Sequence, residues 1–229
     1  MNKLLLALIT TFTLAHAQPS IDALNNSLQS IGSEESYEEI KALAGIGDKY
    51  STSYKSHMKR YQTTKEDHTT IAKKFEDANV PLFFSLIPYC ESNFRSDSHG
   101  RGTAGLWQFM AQSGRTYGLT IKKGHDERTD VCRSTDAAIR YVKDLKKEFS
   151  NWYLVDFAYG MGELKLKRLI QKNGSKKISV LLKDPEFPRG TKDHFAKTLL
   201  LDATIHHSKS KEGIAVQPEL TSSARQVEN

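Results

Sequence analysis

Residues 81–94 read Pro-Leu-Phe-Phe-Ser-Leu-Ile-Pro-Tyr-Cys-Glu-Ser-Asn-Phe, an apolar run that ends near a single carboxylate, Glu91. Pro81 suits the first position of a helix, because the N–H that it lacks has no intrahelical partner there. The run therefore predicts an apolar helix from about 81 to 92. A carboxyl group at the edge of such a helix is pushed toward its protonated form, since desolvation disfavours charge. It can then donate a proton to a departing oxygen, as general-acid cleavage of a glycosidic bond requires.

Helical patterns dominate the chain that follows this run. Residues 133–149 carry apolar side chains at helical spacing, with charged residues on the other face, and predict the clearest helix. No alternation of apolar and polar residues persists long enough to predict a sizeable sheet. The sequence thus predicts a mainly α fold. Shorter helices are expected over 112–118, 152–159, 163–172 and 192–206.

The first residues have the composition of an export signal. A small positive region at Asn2-Lys3 precedes an apolar core over 4–14 and a small-x-small cleavage site at Ala15-His16-Ala17. The core is too short for a stable bilayer anchor. We therefore expect residues 1–17 to be a signal peptide cleaved after Ala17, and the mature protein to be periplasmic without a membrane anchor. A retained membrane helix is the alternative.

The rest of the N-terminal part, residues 18–77, is predicted to be a leader followed by a helical extension. Residues 18–32 are polar with little apolar periodicity, which predicts a loose leader. Residues 34–74 predict one or two amphipathic helices, broken by the glycines at 45–47. At the other end, residues 208–229 are polar and are predicted to form a disordered tail.

The charge balance is basic but not diagnostic. The chain has 33 basic and 27 acidic residues, a net charge of +6. This excess suits an anionic polymer such as a cell wall or a nucleic acid, and equally suits plain solubility. No aromatic-interleaved basic motif or zinc spacing supports nucleic-acid binding. The eight histidines show no metal-ligand spacing, so we expect no metal site.

Three motifs in order carry a resemblance to a known family. Taken together, they resemble the family 1 lytic transglycosylases (SLT domain) of bacterial cell-wall metabolism, in particular those of the membrane-bound murein transglycosylase D type. The motifs are Glu91-Ser92-x-Phe94, Gly105-Leu106-Trp107-Gln108 and Ala158-Tyr159-x-x-Gly162-Glu163.

The resemblance implies a lysozyme-like (goose-type/SLT) helical catalytic domain over 78–207, behind the N-terminal extension. It implies cleavage of the β-1,4 bond between N-acetylmuramic acid and N-acetylglucosamine in peptidoglycan glycan strands, without a cofactor. Glu91 matches the family's single acid/base, which protonates the leaving oxygen and then deprotonates the muramoyl 6-hydroxyl, giving a 1,6-anhydro sugar. This internal nucleophile replaces the second carboxylate that glycosidases normally need. The small size is also compatible with opening the wall for a secretion or conjugation apparatus.

The resemblance also assigns a substrate-binding set. It implies that Ser92 orients Glu91, that the segment with Gly105, Leu106 and Gln108 lines the cleft, and that the Tyr159 hydroxyl points at the acid. Gly162 fits the family pattern as well. Ser92 and Tyr159 have plainer alternatives, a local backbone hydrogen bond and core packing. The chain departs from the family at Gly160, where an asparagine is usual, which puts substrate affinity in doubt.

Other charged residues are assigned less direct roles. We expect Asp126, Arg128 and Asp130 to brace their loop by ion pairs. Asp97 is the spare carboxylate that a hydrolytic mechanism would use.

Cys90 and Cys132 are the two cysteines of a chain predicted to be exported, so a disulfide is a natural hypothesis. Two free thiols are the alternative.

Two functional alternatives stay open at this stage. A hydrolytic muramidase on the same fold would add water instead of closing the sugar on itself. A non-catalytic wall-binding or assembly protein is the second alternative, and the glycine at position 160 is its best support.

Overall fold

The computed structural model of the protein describes residues 19–44 and 51–208. The expected signal peptide, the glycine break at 45–47 and the tail beyond Ser208 lie outside the described residues. Within them the mainly α prediction is confirmed, and every helix is too short or too polar to cross a lipid bilayer. The helices are α1 (Ile21–Ser30), α2 (Tyr37–Ala44), α3 (Ser51–Thr63), α4 (Lys65–Asp77), α5 (Ile87–Ser92), α6 (Ala111–Thr116), α7 (Val131–Phe149), α8 (Trp152–Met161), α9 (Glu163–Asn173), α10 (Ile178–Lys183) and α11 (Arg189–Ile205).

The loose leader predicted over 18–32 is wrong, because α1 is a packed helix. The Ser20 hydroxyl caps it by accepting a hydrogen bond from the backbone N–H of Ala23. Leu24, Leu28 and Ile31 recur at helical spacing and are buried against α11 and α2. Intervening asparagines and serines dilute this stripe in the sequence, although the spacing is that of one helix face.

The predicted N-terminal extension is continuous with the core of the protein. It contains α2, α3 and α4, where one or two helices were expected. Helix α2 packs against α10, α3 against α11, and α4 against α7. Burial of these apolar faces accounts for helices that have modest intrinsic propensity.

The single helix predicted over 81–92 is wrong in its first half. Leu82–Leu86 form a 3₁₀ turn, and α5 starts afresh at Ile87. Pro88 explains the break, because it has no N–H to donate to the carbonyl four residues earlier and its ring clashes there. Helix α5 ends at Ser92, and its C-cap Asn93 has a left-handed φ of 51°. Glu91 therefore lies in the last turn of a short, buried helix.

The segment between α5 and α7 is stabilised by two small antiparallel ribbons. Thr103–Ala104 (β1) pair with Phe109–Met110 (β2), and Ile121–Lys122 (β3) pair with His125–Asp126 (β4). The first ribbon folds the Gly105–Gln108 segment into a tight turn close to the body of the protein.

Helix α11 connects the N-terminal helices to the acid-bearing helix. It packs against α1, α3, α5 and α8, and most of its length is buried. Helix α8 in turn packs against α7 and α9. This arrangement brings residues more than sixty positions apart in sequence to the side of Glu91.

Candidate active site

Glu91 sits at the boundary between the core and solvent. Its side chain is 27% exposed, whereas Tyr89 two residues earlier is fully buried. Its Oε1 lies 3.4 Å from Nε2 of His194, which projects from the second turn of α11. One oxygen of the acid therefore faces an imidazole, and partial exposure leaves the carboxyl group reachable from outside.

His194 is itself backed by a second carboxylate. Its Nδ1 lies 3.4 Å from Oδ1 of Asp156, whose side chain is completely buried in α8. Burial lowers the pKa of His194, but the negative charges of Asp156 and Glu91 outweigh it and hold that pKa above its usual value. The three groups form a line from the buried Asp156 through the imidazole to Glu91.

Tyr159 lies near the acid but does not hydrogen-bond it in the manner expected. Its hydroxyl donates to the backbone carbonyl of Trp107 at 2.7 Å. Burial, and then the charge of Glu91, raise the pKa of Tyr159 well above its ordinary value, so the phenol stays protonated. The residue thus ties α8 to the Gly105–Gln108 turn.

Gln108 uses its amide to hold the turn together. Its Nε2 donates to the Gly105 carbonyl at 2.8 Å, and its Oε1 accepts from the Thr103 hydroxyl at 2.6 Å. Its backbone φ of 47° is left-handed, which a non-glycine residue adopts only where its surroundings hold it. The substrate contact expected of Gln108 stays a prediction, because its amide is hydrogen-bonded to Gly105 and Thr103 within the protein.

Gly105 is required by packing against the backbone of a neighbouring segment. A Cβ on this residue would lie 1.7 Å from the Arg128 carbonyl oxygen, and its φ is +80°. The Arg128 guanidinium forms a two-point ion pair with Asp126 and donates to the carbonyls of Gly102 and Phe109. The expected bracing role of Asp126 and Arg128 is confirmed.

Asp130 braces the same region as the N-cap of α7. Its carboxylate accepts a hydrogen bond from the backbone N–H of Arg133 at 2.7 Å.

Ser92 is hydrogen-bonded to the backbone, and Leu106 is packed in the core. The Ser92 hydroxyl donates to the Pro88 carbonyl at 3.0 Å and accepts from the backbone N–H of Arg95 at 3.2 Å, which is the plainer of its two expected roles. Leu106 is buried at 1% exposure. Binding of substrate by either residue stays a prediction.

Gly160 and Gly162 lie at the exposed end of α8. A Cβ at Gly160 would approach Thr191 Cγ2 to 3.0 Å, so the asparagine usual in the family would require Thr191 to shift. Gly162 has a φ of +86° and open space around its Cβ position, which suits the sharp turn from α8 into α9.

The proposed bridge between Cys90 and Cys132 is not formed, and both thiols are free. Cys90 Sγ lies 3.4 Å from the Thr198 hydroxyl on α11, whereas Cys132 is exposed at the start of α7. Cys90 lies within α5 and faces α11, so the two thiols have different surroundings.

A groove of about 630 Å³ is lined in part by residues that follow Glu91 closely in the sequence. Its lining includes Phe94, Arg95, Asp97 and Cys132, and does not include Glu91. The Asp97 side chain is 76% exposed, and its Oδ1 lies 3.3 Å from Nε of Arg95. The hydrogen bond from Arg95, and then the positive charge of Arg95, lower the pKa of Asp97. The spare carboxylate of the sequence is thus a solvated surface residue.

Sequence reasoning missed His194 and Asp156. One signal was available: Asp156 is the single charged residue within the apolar segment Tyr153–Ala158, where an unpaired charge would be costly. His194 had no comparable signal, because it stands among the polar residues that begin α11. In the described part of the chain, no group of three or more His, Cys, Asp or Glu side chains is arranged to hold a metal ion.

Comparison with known proteins gives a family match over the segment that contains this site. Residues 69–182 match the model of the transglycosylase SLT domain. Membrane-bound lytic murein transglycosylase D from Escherichia coli K12 and from E. coli O6:H1 are each 34% identical over 143 residues, covering 61% of this chain and 31% of the relative. The chain therefore spans about a third of the length of these curated relatives. Glu91 and Asp156 lie within the matched domain, and His194 lies beyond it.

Proposed function

Since the chain belongs to the transglycosylase SLT domain family through residues 69–182, we propose that it is a peptidoglycan lytic transglycosylase of the cell envelope. The observation that carries this proposal is the position of Glu91. Its carboxyl group is partly buried at the end of a buried helix, is reachable from solvent, and contacts an imidazole inside the protein. This is the environment that a general acid/base requires.

The reaction that fits this site needs one carboxyl group. Protonated Glu91 donates its proton to the glycosidic oxygen between N-acetylmuramic acid and N-acetylglucosamine as the bond to the anomeric carbon breaks. The resulting carboxylate then removes the proton of the muramoyl 6-hydroxyl, whose oxygen closes on the anomeric carbon. The product is a 1,6-anhydro sugar, and the proton taken from the 6-hydroxyl replaces the one that Glu91 donated. Because the attacking hydroxyl belongs to the same sugar, its effective concentration at the anomeric carbon is high, and no bound water is needed as the nucleophile.

The surroundings of the other carboxylates support this reaction over hydrolysis. A hydrolytic glycosidase needs a second carboxylate that either attacks the sugar or activates a water. Asp156 is completely buried behind His194 and cannot reach a sugar or a bulk water molecule. Asp97 is exposed and paired with Arg95. Hydrolysis remains the alternative that product analysis separates from ring closure.

The proposal extends to location and partner. We place the mature protein in the periplasm, in contact with glycan strands, because the sequence begins with an export-like segment and the relatives are named as murein transglycosylases. The basic excess of the sequence, +6 over the whole chain including Lys3 of the expected signal peptide, favours contact with the anionic wall.

The test compares two carboxylate-to-amide variants on purified sacculi. We expect wild type to release anhydro-muropeptides, and Glu91→Gln to lose activity by about 10²–10⁴-fold, since an amide cannot donate the proton. The matched control is Asp97→Asn, which we expect to stay within about twofold of wild type because the surface pair contributes little. Released fragments are identified by mass spectrometry.

The product masses decide between the candidate functions. Anhydro ends weigh one water less than hydrolysed ends, so hydrolysed ends that disappear in Asp97→Asn would establish the muramidase. If wild type binds sacculi but releases no more fragments than Glu91→Gln, the protein is a wall-binding protein. Circular dichroism of each variant shows whether the fold is retained.

A further inference from the structure

The line formed by Asp156, His194 and Glu91 is unusual in how completely its inner members are buried. The His194 side chain is 8% exposed and that of Asp156 is 0% exposed. Both ring nitrogens of His194 and both carboxylate oxygens of Asp156 are buried without a hydrogen bond of good geometry. Leaving such groups unpaired is costly. The arrangement therefore requires an explanation other than stability.

The contacts at each end of the imidazole are both 3.4 Å, slightly longer than a formed hydrogen bond. Catalytic hydrogen bonds are often long in a free enzyme and tighten when substrate binds. A small movement of the Glu91 side chain would close the gap between its Oε1 and Nε2 of His194.

Other titratable groups face this line from the surrounding helices. Lys197 on α11 and His57 on α3 disfavour a positive charge on His194. Cys90 on α5 and Tyr159 on α8 are held neutral, because burial raises the pKa of Cys90 to about 12 and that of Tyr159 well above its usual value. The two carboxylates therefore supply the negative charge that the imidazole meets.

We propose that His194, held by Asp156, is a positioning residue that stores the catalytic proton and exchanges it with Glu91. This inference rests on the proposed function, because it assigns His194 a role only through the acid. It explains how one glutamate can be supplied with a proton near neutral pH, where an isolated carboxyl group has lost its own.

The exchange balances without any co-reactant. In the resting state the proton is on Nε2 of His194, Asp156 and Glu91 are negative, and the line carries a net charge of −1. The N–H bond breaks as an O–H bond forms on Oε1 of Glu91, which leaves the imidazole neutral and hydrogen-bonded to Asp156 through Nδ1–H. Rotation of the carboxyl group turns this proton toward the glycosidic oxygen. The proton later removed from the 6-hydroxyl returns by the reverse path.

The test measures the pH dependence of anhydro-muropeptide release in Asp156→Asn and His194→Gln. Loss of the Asp156 charge releases the stored proton at lower pH, so we expect the alkaline limb of the kcat profile to move down by about one pH unit or more. In His194→Gln the amide can still hydrogen-bond Glu91, but it cannot store a proton. We expect its activity to fall at least tenfold at pH 7.5 and to recover toward pH 5.

A matched control uses a histidine at the end of the same helix. His206→Gln removes an imidazole that also pairs with a buried aspartate, Asp202, and we expect its pH profile to keep the wild-type shape. A purely structural role of His194 would lower kcat evenly at all pH values. An unchanged profile in both variants, or an alkaline limb that moves up, would overturn the proposal.

A second readout does not depend on turnover. Nitrogen-15 NMR of histidine-labelled protein follows the charge of His194 directly in wild type, Asp156→Asn and Glu91→Gln. We expect the midpoint of His194 to fall in both variants, since each removes a negative neighbour. If wild type releases no fragments but these midpoints shift as expected, the proposed function fails while the coupling stands. If fragments are released and the midpoints do not shift, this inference alone fails.

Discussion

Two buried aspartate–histidine clusters involve α11, one through His194 and the other through Asp202, and they differ in how their hydrogen bonds are made. Asp202 accepts from the Ser27 hydroxyl at 2.6 Å, and its oxygens lie 2.7 Å from His206 Nδ1 and 3.2 Å from His207 Nε2. Asp156, by contrast, meets a single imidazole at 3.4 Å.

The electrostatics follow the same division. Burial raises the pKa of Asp202, but hydrogen bonds from His206, His207 and Ser27 more than offset this and leave that pKa below its ordinary value. The first cluster is therefore a satisfied network that ties α1 to α11. In the second, the imidazole is shared between two carboxylates, and one of these, Glu91, reaches solvent.

The comparison shows that a buried aspartate–histidine pair does not by itself mark a functional site. Fully made hydrogen bonds stabilise the fold, whereas loosely made ones beside an accessible carboxyl group leave room for a proton to move.

The largest effect is expected from removing charge at the two aspartates. Asp202→Asn presents an amide to groups that donate to the carboxylate, so we expect a loss of about 3 kcal/mol in the free energy of unfolding. Asp156→Asn breaks no well-formed hydrogen bond and removes a buried charge that is itself costly, so we expect it to cost clearly less, about 1–1.5 kcal/mol. Urea denaturation at pH 7, with the slope held common to all variants, measures both.

Activity gives the opposite ranking and completes this comparison. Below its unfolding transition, Asp202→Asn should keep its kcat and the wild-type pH profile. Equal losses of stability in the two variants would mean that both clusters serve the fold, and the division drawn between them would be wrong.

A second prediction concerns His68, which lies against the Asp202 cluster with its ring 6.1 Å from that of His206. The Ser85 hydroxyl donates to the Leu82 carbonyl at 2.6 Å, so its oxygen accepts from His68 Nε2–H at 3.1 Å. Burial, and then the charge of His206, lower the pKa of His68 from 6.5 to about 4. His68 is therefore a neutral structural group.

This lowered pKa sets the pH range in which stability is lost. The unfolded chain binds a proton at His68 below pH 6.5, whereas the folded protein does so only near pH 4, so acid favours unfolding between these values. We expect His68 to contribute a loss of about 2–3 kcal/mol between pH 7 and 4.5. Replacing it in His68→Gln should flatten the dependence by that amount in urea titrations.

The Asp202 cluster provides the control for this pH range. Because the pKa of Asp202 is lowered, its contribution is present above the unfolded value of 3.8 and is lost only as pH falls through its folded pKa. Asp202→Asn should therefore leave the slope between pH 6.5 and 4.5 unchanged. A slope that is the same in wild type and His68→Gln would show that the pKa of His68 is not lowered in the folded protein.

Local pattern was enough to predict much of the fold. The helix expected over 133–149 is α7, because a long apolar stripe with charges opposite it has no other stable arrangement. Two errors have identifiable physical causes. Pro88 divides the apolar run before Glu91 into two elements. In α1, polar residues dilute the apolar stripe, and it is the packing of this stripe against α11 that makes the segment a stable helix.

The candidate site divides in the same way. Glu91, Tyr159 and Gly105 lie in motifs that are short in sequence, so the sequence was sufficient to select them. The relation of Asp156 to His194 depends on how α8 packs against α11, and a spacing of 38 positions carries no signal for that contact. Long-range packing therefore determines what the motifs alone left out.

The smallest effect is expected at the cysteines, and it tests whether the surroundings of Glu91 depend on a covalent link. Cys90 packs beside Glu91 with its pKa raised to about 12 by burial, so its thiolate is scarce and it should react slowly with a thiol reagent. Exposed Cys132 should react fast, and unfolding should reveal two thiols in all. A disulfide would add about 2–4 kcal/mol, so a reductant that lowers the midpoint of thermal unfolding by several degrees would contradict the free thiols. We expect no shift, because the packing of α11 against α5 already holds the acid-bearing helix in place.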